Sequence, residues 1–151
     1  MSSVLRVAII GMGGFAGSHH DVVRDLERAG RCRLVAACDP ALAAFADRQR
    51  ELDFAERGVR GFDDYRALLE ACRSELDLIT IPTPIHLHAV MHRAAVRAGL
   101  AVYLEKPPTL DFAELREMEA TDAAGRFRTN VAFNFIVDPV RQAVKRRLLA
   151  G

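Results

Sequence analysis

The stretch Val7–His20, VAIIGMGGFAGSHH, constrains this chain more than any other. An apolar run stops at a glycine turn and passes into what reads as the start of a helix. Gly11, Gly13 and Ala16 stand in G-x-G-x-x-(G/A) spacing, with Met12, Gly14 and Phe15 between and beside them. Each small residue has its own task. The first allows a tight turn, the second lets backbone approach a pyrophosphate, and the third lets the helix pack close to the strand. The helix N-terminus then presents unpaired N–H groups and a positive dipole end to an anion. A glycine turn alone is weakly specific, so its meaning depends on the rest of the chain.

Downstream of the turn, apolar strands alternate with amphipathic helices. Leu5–Ile10, Leu34–Cys38, Val59–Phe62, Leu76–Ile81, Ala101–Leu104 and Phe127–Phe135 read as strands. Gly14–Ala29, Ala41–Leu52, a segment capped by Asp63, Ile85–Ala98, Phe112–Ala124 capped by Asp111, and Val140–Leu149 read as helices, several closed by glycine. This pattern predicts βαβ units, a parallel sheet and right-handed crossovers. With the glycine turn after the first strand, the expected fold is α/β, a doubly wound, mostly parallel Rossmann sheet in the order 3-2-1-4-5-6.

Composition narrows the partners. The chain has 151 residues, half of them hydrophobic, and 21 basic against 20 acidic side chains. A net charge of +1 gives no electrostatic reason to expect nucleic acid or an acidic membrane. Arg141, Lys145, Arg146 and Arg147 read as a solvated helix face. No stretch approaches the roughly 20 apolar residues of a membrane span. Three scattered cysteines, Cys32, Cys38 and Cys72, suit buried reduced thiols and a cytoplasmic location. Of the five histidines, His88 and His92 share a helix face, yet no carboxylate or thiol at matching spacing completes a metal site.

Three further positions carry chemistry. Asp39 ends the second strand roughly 20 residues after the turn, where a carboxylate binds ribose hydroxyls and repels a 2′-phosphate. It is expected to favour NAD over NADP, although the same residue could simply cap the next helix. Pro82-Thr83-Pro84 stops the fourth strand at the ligand-binding edge of such a sheet and is expected beneath the nicotinamide half of the cofactor, or to be an ordinary turn. Glu105-Lys106-Pro107 occupies the same edge one strand on. A lysine there can hold a substrate oxygen and stabilise charge during hydride transfer, although most strand-end lysines are merely solvated.

Together these residues resemble the N-terminal domain of the glucose–fructose oxidoreductase / inositol dehydrogenase (Gfo/Idh/MocA) family. The resemblance rests on the glycine turn with Ala16 at its third small position, on Asp39, and on the series Thr83-Pro84, His88, Ala98-Gly99 and Glu105-Lys106-Pro107. It implies hydride transfer between a nicotinamide cofactor and the hydroxyl or carbonyl of a sugar, cyclitol or similar small molecule. It implies that Lys106 is catalytic, that His88 and Glu105 belong with the cofactor-binding residues, and that Lys106–Pro107 is a candidate cis peptide. It also implies a cofactor domain over residues 1–135 and a linking helix over 136–151. Beyond these the family carries a C-terminal α/β substrate domain with a D-x-x-x-H motif and most of the oligomer contacts, and neither Asp21 nor Asp138 begins such a motif here. The expectation is a cofactor half that binds NAD without turning over a polyol, from a protein that is a homo-oligomer through that further domain. The alternative is a free-standing NAD-binding sensor. A cofactor half should also expose a large apolar surface along its outer strand, which a stand-alone domain should cover.

Overall fold

The computed structural model describes residues 4–126 and 128–150. Phe127, at the start of the sixth predicted strand, and Gly151, the last residue of the predicted linking segment, lie outside the described residues. Six parallel strands form one sheet in the order β3-β2-β1-β4-β5-β6, as the glycine turn and the alternation predict. They are β1 (Leu5–Ile10), β2 (Cys32–Cys38), β3 (Arg60–Phe62), β4 (Leu78–Ile81), β5 (Ala101–Leu104) and β6 (Thr129–Val131). The helices are α1 (Ala16–Arg28), α2 (Ala46–Glu51), α3 (Phe54–Arg57), α4 (Tyr65–Cys72), α5 (His88–Arg97), α6 (Phe112–Ala124) and α7 (Pro139–Ala150).

Strand β1 runs through the middle and is buried on both faces from Val7 to Ile10. Its residues alternate between two cores. Ala8 and Ile10 join Leu68, Ile79, Ile81, Ala95 and Leu104 on the face of α4, α5 and α6. Val7 and Ile9 join Leu34, Val23, Leu52 and Phe54 on the face of α1 to α3. A side chain such as Ile9, with no exposed surface, contributes about 1.5–3 kcal/mol by its removal from water.

Several boundaries differ from the sequence expectation. The predicted helix Ala41–Leu52 is instead a 3-10 turn (Leu42–Phe45), then α2, then α3 after Asp53 in the left-handed region. The break lays Phe45 against the glycine turn, where a side chain at Gly13 would meet the Phe45 ring at 3.0 Å. Asp64 rather than Asp63 caps α4, accepting the Arg66 N–H at 3.0 Å, because the helix starts one residue later with Tyr65 turned into the core. The predicted helix Ile85–Ala98 opens with a 3-10 turn over Ile85–Leu87 before α5. The sixth strand pairs over three residues only, as the edge of the sheet. Phe133 and Phe135 leave the sheet and stand exposed.

The edge is nonetheless pinned. The Thr129 hydroxyl donates to Asp122 on α6 and accepts from His92 Nε2 on α5 at 2.9 Å. Helix α7 has no buried residue and its main contact is the 3-10 turn Asn134–Ile136. An apolar cavity of about 550 Å³ lies between the flank of α1 and strands β4 and β5. Val22 and Leu26 line it and are exposed, and Phe133, Ile136, Val140 and Leu148 are further exposed large apolar side chains. Among the described residues, no helix is long and apolar enough to cross a membrane.

Candidate functional site

The carboxyl ends of β1, β2 and β4 open onto a crevice of about 740 Å³. Its volume suits a small-molecule or cofactor site. Gly11, Gly13, Gly14 and Phe15 form one wall, Asp39 and Pro40 the second, and Pro82, Thr83 and Pro84 the third. Met12 and Ala16 are buried beneath. The strand order reverses between β1 and β4, so the crevice sits at the switch point where open α/β sheets bind ligands.

The glycine turn is shaped by close approach. Gly11 has φ +126°, a conformation that side chains rarely adopt, and a Cβ there would stand 3.2 Å from both Ala16 Cβ and the Pro82 carbonyl. This contact also gives Ala16 its physical role as the third small residue. The turn is held at both ends of one peptide. The Met12 N–H donates to Asp39 Oδ2 at 2.9 Å, and the Gly11 carbonyl accepts from His20 Nε2 at 2.9 Å. A carbonyl only accepts, so Nε2 carries the His20 proton. Burial holds the His20 ring below its ordinary pKa, against a smaller opposing pull from that carbonyl.

Asp39 does two jobs at once. Oδ1 accepts the Ala41 N–H at 2.9 Å while Oδ2 takes Met12. One side chain therefore organises the turn after β2 and ties it to the glycine turn. A carboxylate offers about four lone-pair sites. Two are taken by backbone, which leaves acceptor capacity toward the crevice. Asp63 and Asp64 stand on the same rim. Burial, with the charges of Asp64, Asp39 and Asp63 behind it, pushes the Cys38 thiol up to about 12. Three carboxylates thus stand at that end of the crevice, with Arg66 beside them 3.8 Å from Asp64, and the thiol stays protonated.

Glu105 and Lys106 do not line this crevice. They line the neighbouring cavity with His19, Thr80, Tyr103 and Asn134, and Phe15 stands between the two spaces and lines both. Lys106 is exposed at the mouth. The Lys106–Pro107 peptide is cis. His88 lines neither space. It is 1 % exposed, with Nε2 2.8 Å from the Thr83 carbonyl and Nδ1 2.9 Å from the Pro107 carbonyl. Its ring therefore joins the Pro82-Thr83-Pro84 turn to the Glu105-Lys106-Pro107 bend from below. The Thr83 hydroxyl is 3.7 Å from Met91 Sδ.

Sequence reading did not find Tyr65, Leu87 and Met91 in the crevice wall, nor His20 beneath it. Leu87 and Met91 lie one helical turn apart just after the Pro84 turn, a spacing that could have pointed to them. The two adjacent histidines carried no such signal, since a buried ring and a solvated one look alike in sequence. Among the described residues, no group of three or more metal-ligating side chains comes together.

The residues present fit a dinucleotide. A Cβ at Gly11 would close the space over the turn, and the N-terminal, positive dipole end of a 13-residue helix lies beside it. Comparison with known proteins agrees. The profile described as "Oxidoreductase family, NAD-binding Rossmann fold" matches residues 5–131. The chain is 35% identical to inositol 2-dehydrogenase 4 of Saccharopolyspora erythraea, with 97% of this chain and 41% of the relative covered. It is 33% identical to D-apiose dehydrogenase of Paraburkholderia graminis, over 95% of this chain and 36% of the relative. The crystal structure of myo-inositol 2-dehydrogenase from Lactobacillus plantarum superposes with a TM-score of 0.78 at 29% identity, over 99% of this chain and 42% of that one. The chain thus spans about two-fifths of the length of these relatives. It belongs to the Gfo/Idh/MocA oxidoreductase family, as an NAD-binding Rossmann domain.

Proposed function

We propose that this domain binds NAD in preference to NADP and serves an enzyme that moves a hydride between the nicotinamide and a CH–OH group of a sugar, cyclitol or similar small molecule. The observation that carries the cofactor preference is the Asp39 carboxylate, held at the turn by Met12 N–H with capacity left toward the crevice. Its neighbour Asp63 adds negative charge to the rim that a 2′-phosphate would meet, while Asp64 there pairs with Arg66. When bound, the nicotinamide supplies the hydride acceptor. Gly11, Met12, Gly13, Gly14, Phe15 and Ala16 would form the pyrophosphate seat, and Asp39 the ribose acceptor. Pro82, Thr83 and Pro84 would form the floor toward the nicotinamide, with His88 fixing that floor from beneath and Glu105 at its far side. Lys106 would hold the substrate oxygen and offset its developing charge.

Family membership supports this reading over a cofactor-sensing module. The relatives named as dehydrogenases of inositol and apiose support the substrate class. We place the cofactor domain at residues 1–135 and regard 136–151 as a linking helix, since α7 buries none of its residues against the sheet. The rest of the protein would then read the substrate and carry contacts between subunits. The three unpaired buried thiols accord with a cytoplasmic location.

Titration of the chain with NADH and NADPH, monitored by nucleotide fluorescence, tests the cofactor reading. Tighter binding of NADPH would overturn it. In the complete protein, Lys106→Met should lower kcat by about 100-fold or more with little change in NADH affinity. An unchanged kcat would remove Lys106 from the chemistry.

A further inference from the structure

We infer that His19 is a positioning residue: by holding the Glu105 carboxylate it ties the first turn of α1 to the bend that carries Lys106. The helix that opens on the phosphate seat then also sets where the ammonium stands. The inference rests on the proposed role of Lys106 as the residue that holds the substrate oxygen.

Four observations meet at this point. His19 Nε2 lies 3.0 Å from Glu105 Oε1, and the two side chains are only 10% and 13% exposed. A carboxylate oxygen only accepts, so Nε2 donates. The other Glu105 oxygen accepts the Lys106 backbone N–H at 3.2 Å. One carboxylate thus binds the helix with one oxygen and the bend with the other, and it cannot turn without losing one of them. The imidazole itself packs against two aromatic rings. Phe15, one helical turn earlier, meets it edge-on at 5.7 Å and 74°, and Tyr103 on β5 lies 5.8 Å away. Little rotamer freedom remains, so the pair is held in place before any ligand arrives.

The arrangement has a chemical consequence. Glu105 and Lys106 are chain neighbours of opposite charge. A free Glu105 carboxylate could turn to the Lys106 ammonium and neutralise the charge that a substrate oxygen needs. With His19 engaging it, the carboxylate faces α1 and the ammonium stays exposed toward the cavity mouth. His19 acts on Lys106 through Glu105, without touching substrate.

The chain contains two lysines, Lys106 and Lys145, so 13C reductive methylation yields two lysine signals, and Lys145→Arg assigns them. In His19→Leu the Lys106 methyl signal should shift from its wild-type position while NADH affinity stays within about threefold. His19→Gln, whose amide can still donate to Glu105, should return the signal at least halfway. A Lys106 signal in His19→Leu that superposes on wild type overturns the inference, as does a glutamine variant indistinguishable from leucine. If His19→Leu does not fold, Glu105→Gln makes the same comparison, and an unmoved Lys106 signal there overturns it equally. The methyl comparison is made without ligand. Absence of NADH binding by the wild-type chain would therefore sink the cofactor reading and leave this test intact.

Discussion

Asp39 and His20 hold opposite ends of one peptide, and this sets what each substitution should do. Asp39→Ala removes the acceptor for Met12 N–H and for Ala41 N–H, together with the charge proposed to meet the ribose. A hydrogen bond to a charged group is worth roughly 1.5–3 kcal/mol, so NAD affinity should fall about 10- to 100-fold. Discrimination against NADP should shrink in the same variant, as read by parallel titrations. His20→Leu strips the donor from the Gly11 carbonyl but leaves Asp39 in place. Its effect on NAD binding should be smaller, about fivefold, from the roughly 1 kcal/mol of a neutral hydrogen bond. Asp39 could be picked from the sequence because its place at the end of the second strand has a chemical meaning. His20 could not, because only the packing of α1 on β1 turns its ring under the glycine turn.

At the scale of elements, strand and helix types were legible because period and caps agree. The Asp111 cap accepts Glu114 N–H as its spacing predicts, and α6 runs over Phe112–Ala124. What blurred the boundaries was side-chain demand from neighbouring elements. The segment after β2 breaks into short turns to bring Phe45 to Gly13 and Leu42 to Gly61, contacts that no local pattern announces. The end of α6 offers a direct test of such packing. A Cβ on Gly125 would lie 2.5 Å from Val96 Cγ1 on α5. Gly125→Ala should therefore destabilise the chain by about 1–3 kcal/mol in urea unfolding, as overpacking does. Val96→Ala in the same chain should recover part of that loss, so that the two substitutions are non-additive. Additive losses would show that the helices do not meet there as described.

Over the whole molecule, acid sensitivity stems from two buried rings. Burial lowers the pKa of both His20 and His92 from 6.5. Each has an Nδ1 without a partner among the described residues. Arg48, Arg57 and His19 press His20 further down, whereas Asp122 partly offsets burial at His92 and Arg93 adds to it. Below about pH 6.5 the unfolded chain takes up protons that the folded chain refuses, so stability rises with pH there and falls on acidification. Urea midpoints should drop between pH 7.5 and 5, and His20→Gln should flatten part of that slope. Asp77 adds a second window with its own sign. Hydrogen bonds from Arg6 hold its carboxyl down to about 2, so its contribution is present above 3.8 and is lost toward 2. That contribution is small, because the pair is partly open to water. Activity is also a property of the whole molecule. Lys106 stands at an open cavity mouth, where water screens its charge. The 151-residue chain should bind NAD yet form no NADH from inositols or apiose, assayed by absorbance.

The sequence by itself determined the strand order, the nature of the first turn and the acidic residue beside it. Each derives from chain-local rules: the φ that only glycine tolerates, the period of apolar residues, and the handedness of parallel crossovers. The tertiary structure decided which side chains work together. Asp39 reaches Met12 across 27 residues, His19 reaches Glu105 across 86, and His88 joins two bends from beneath. Such pairings arise from how α1 and α5 pack on the sheet, and packing over that separation leaves no periodic trace in the chain. The glycine turn marks a candidate anion seat; the fold brings His20 and Asp39 to that turn and links its helix to the Lys106 bend through His19 and Glu105.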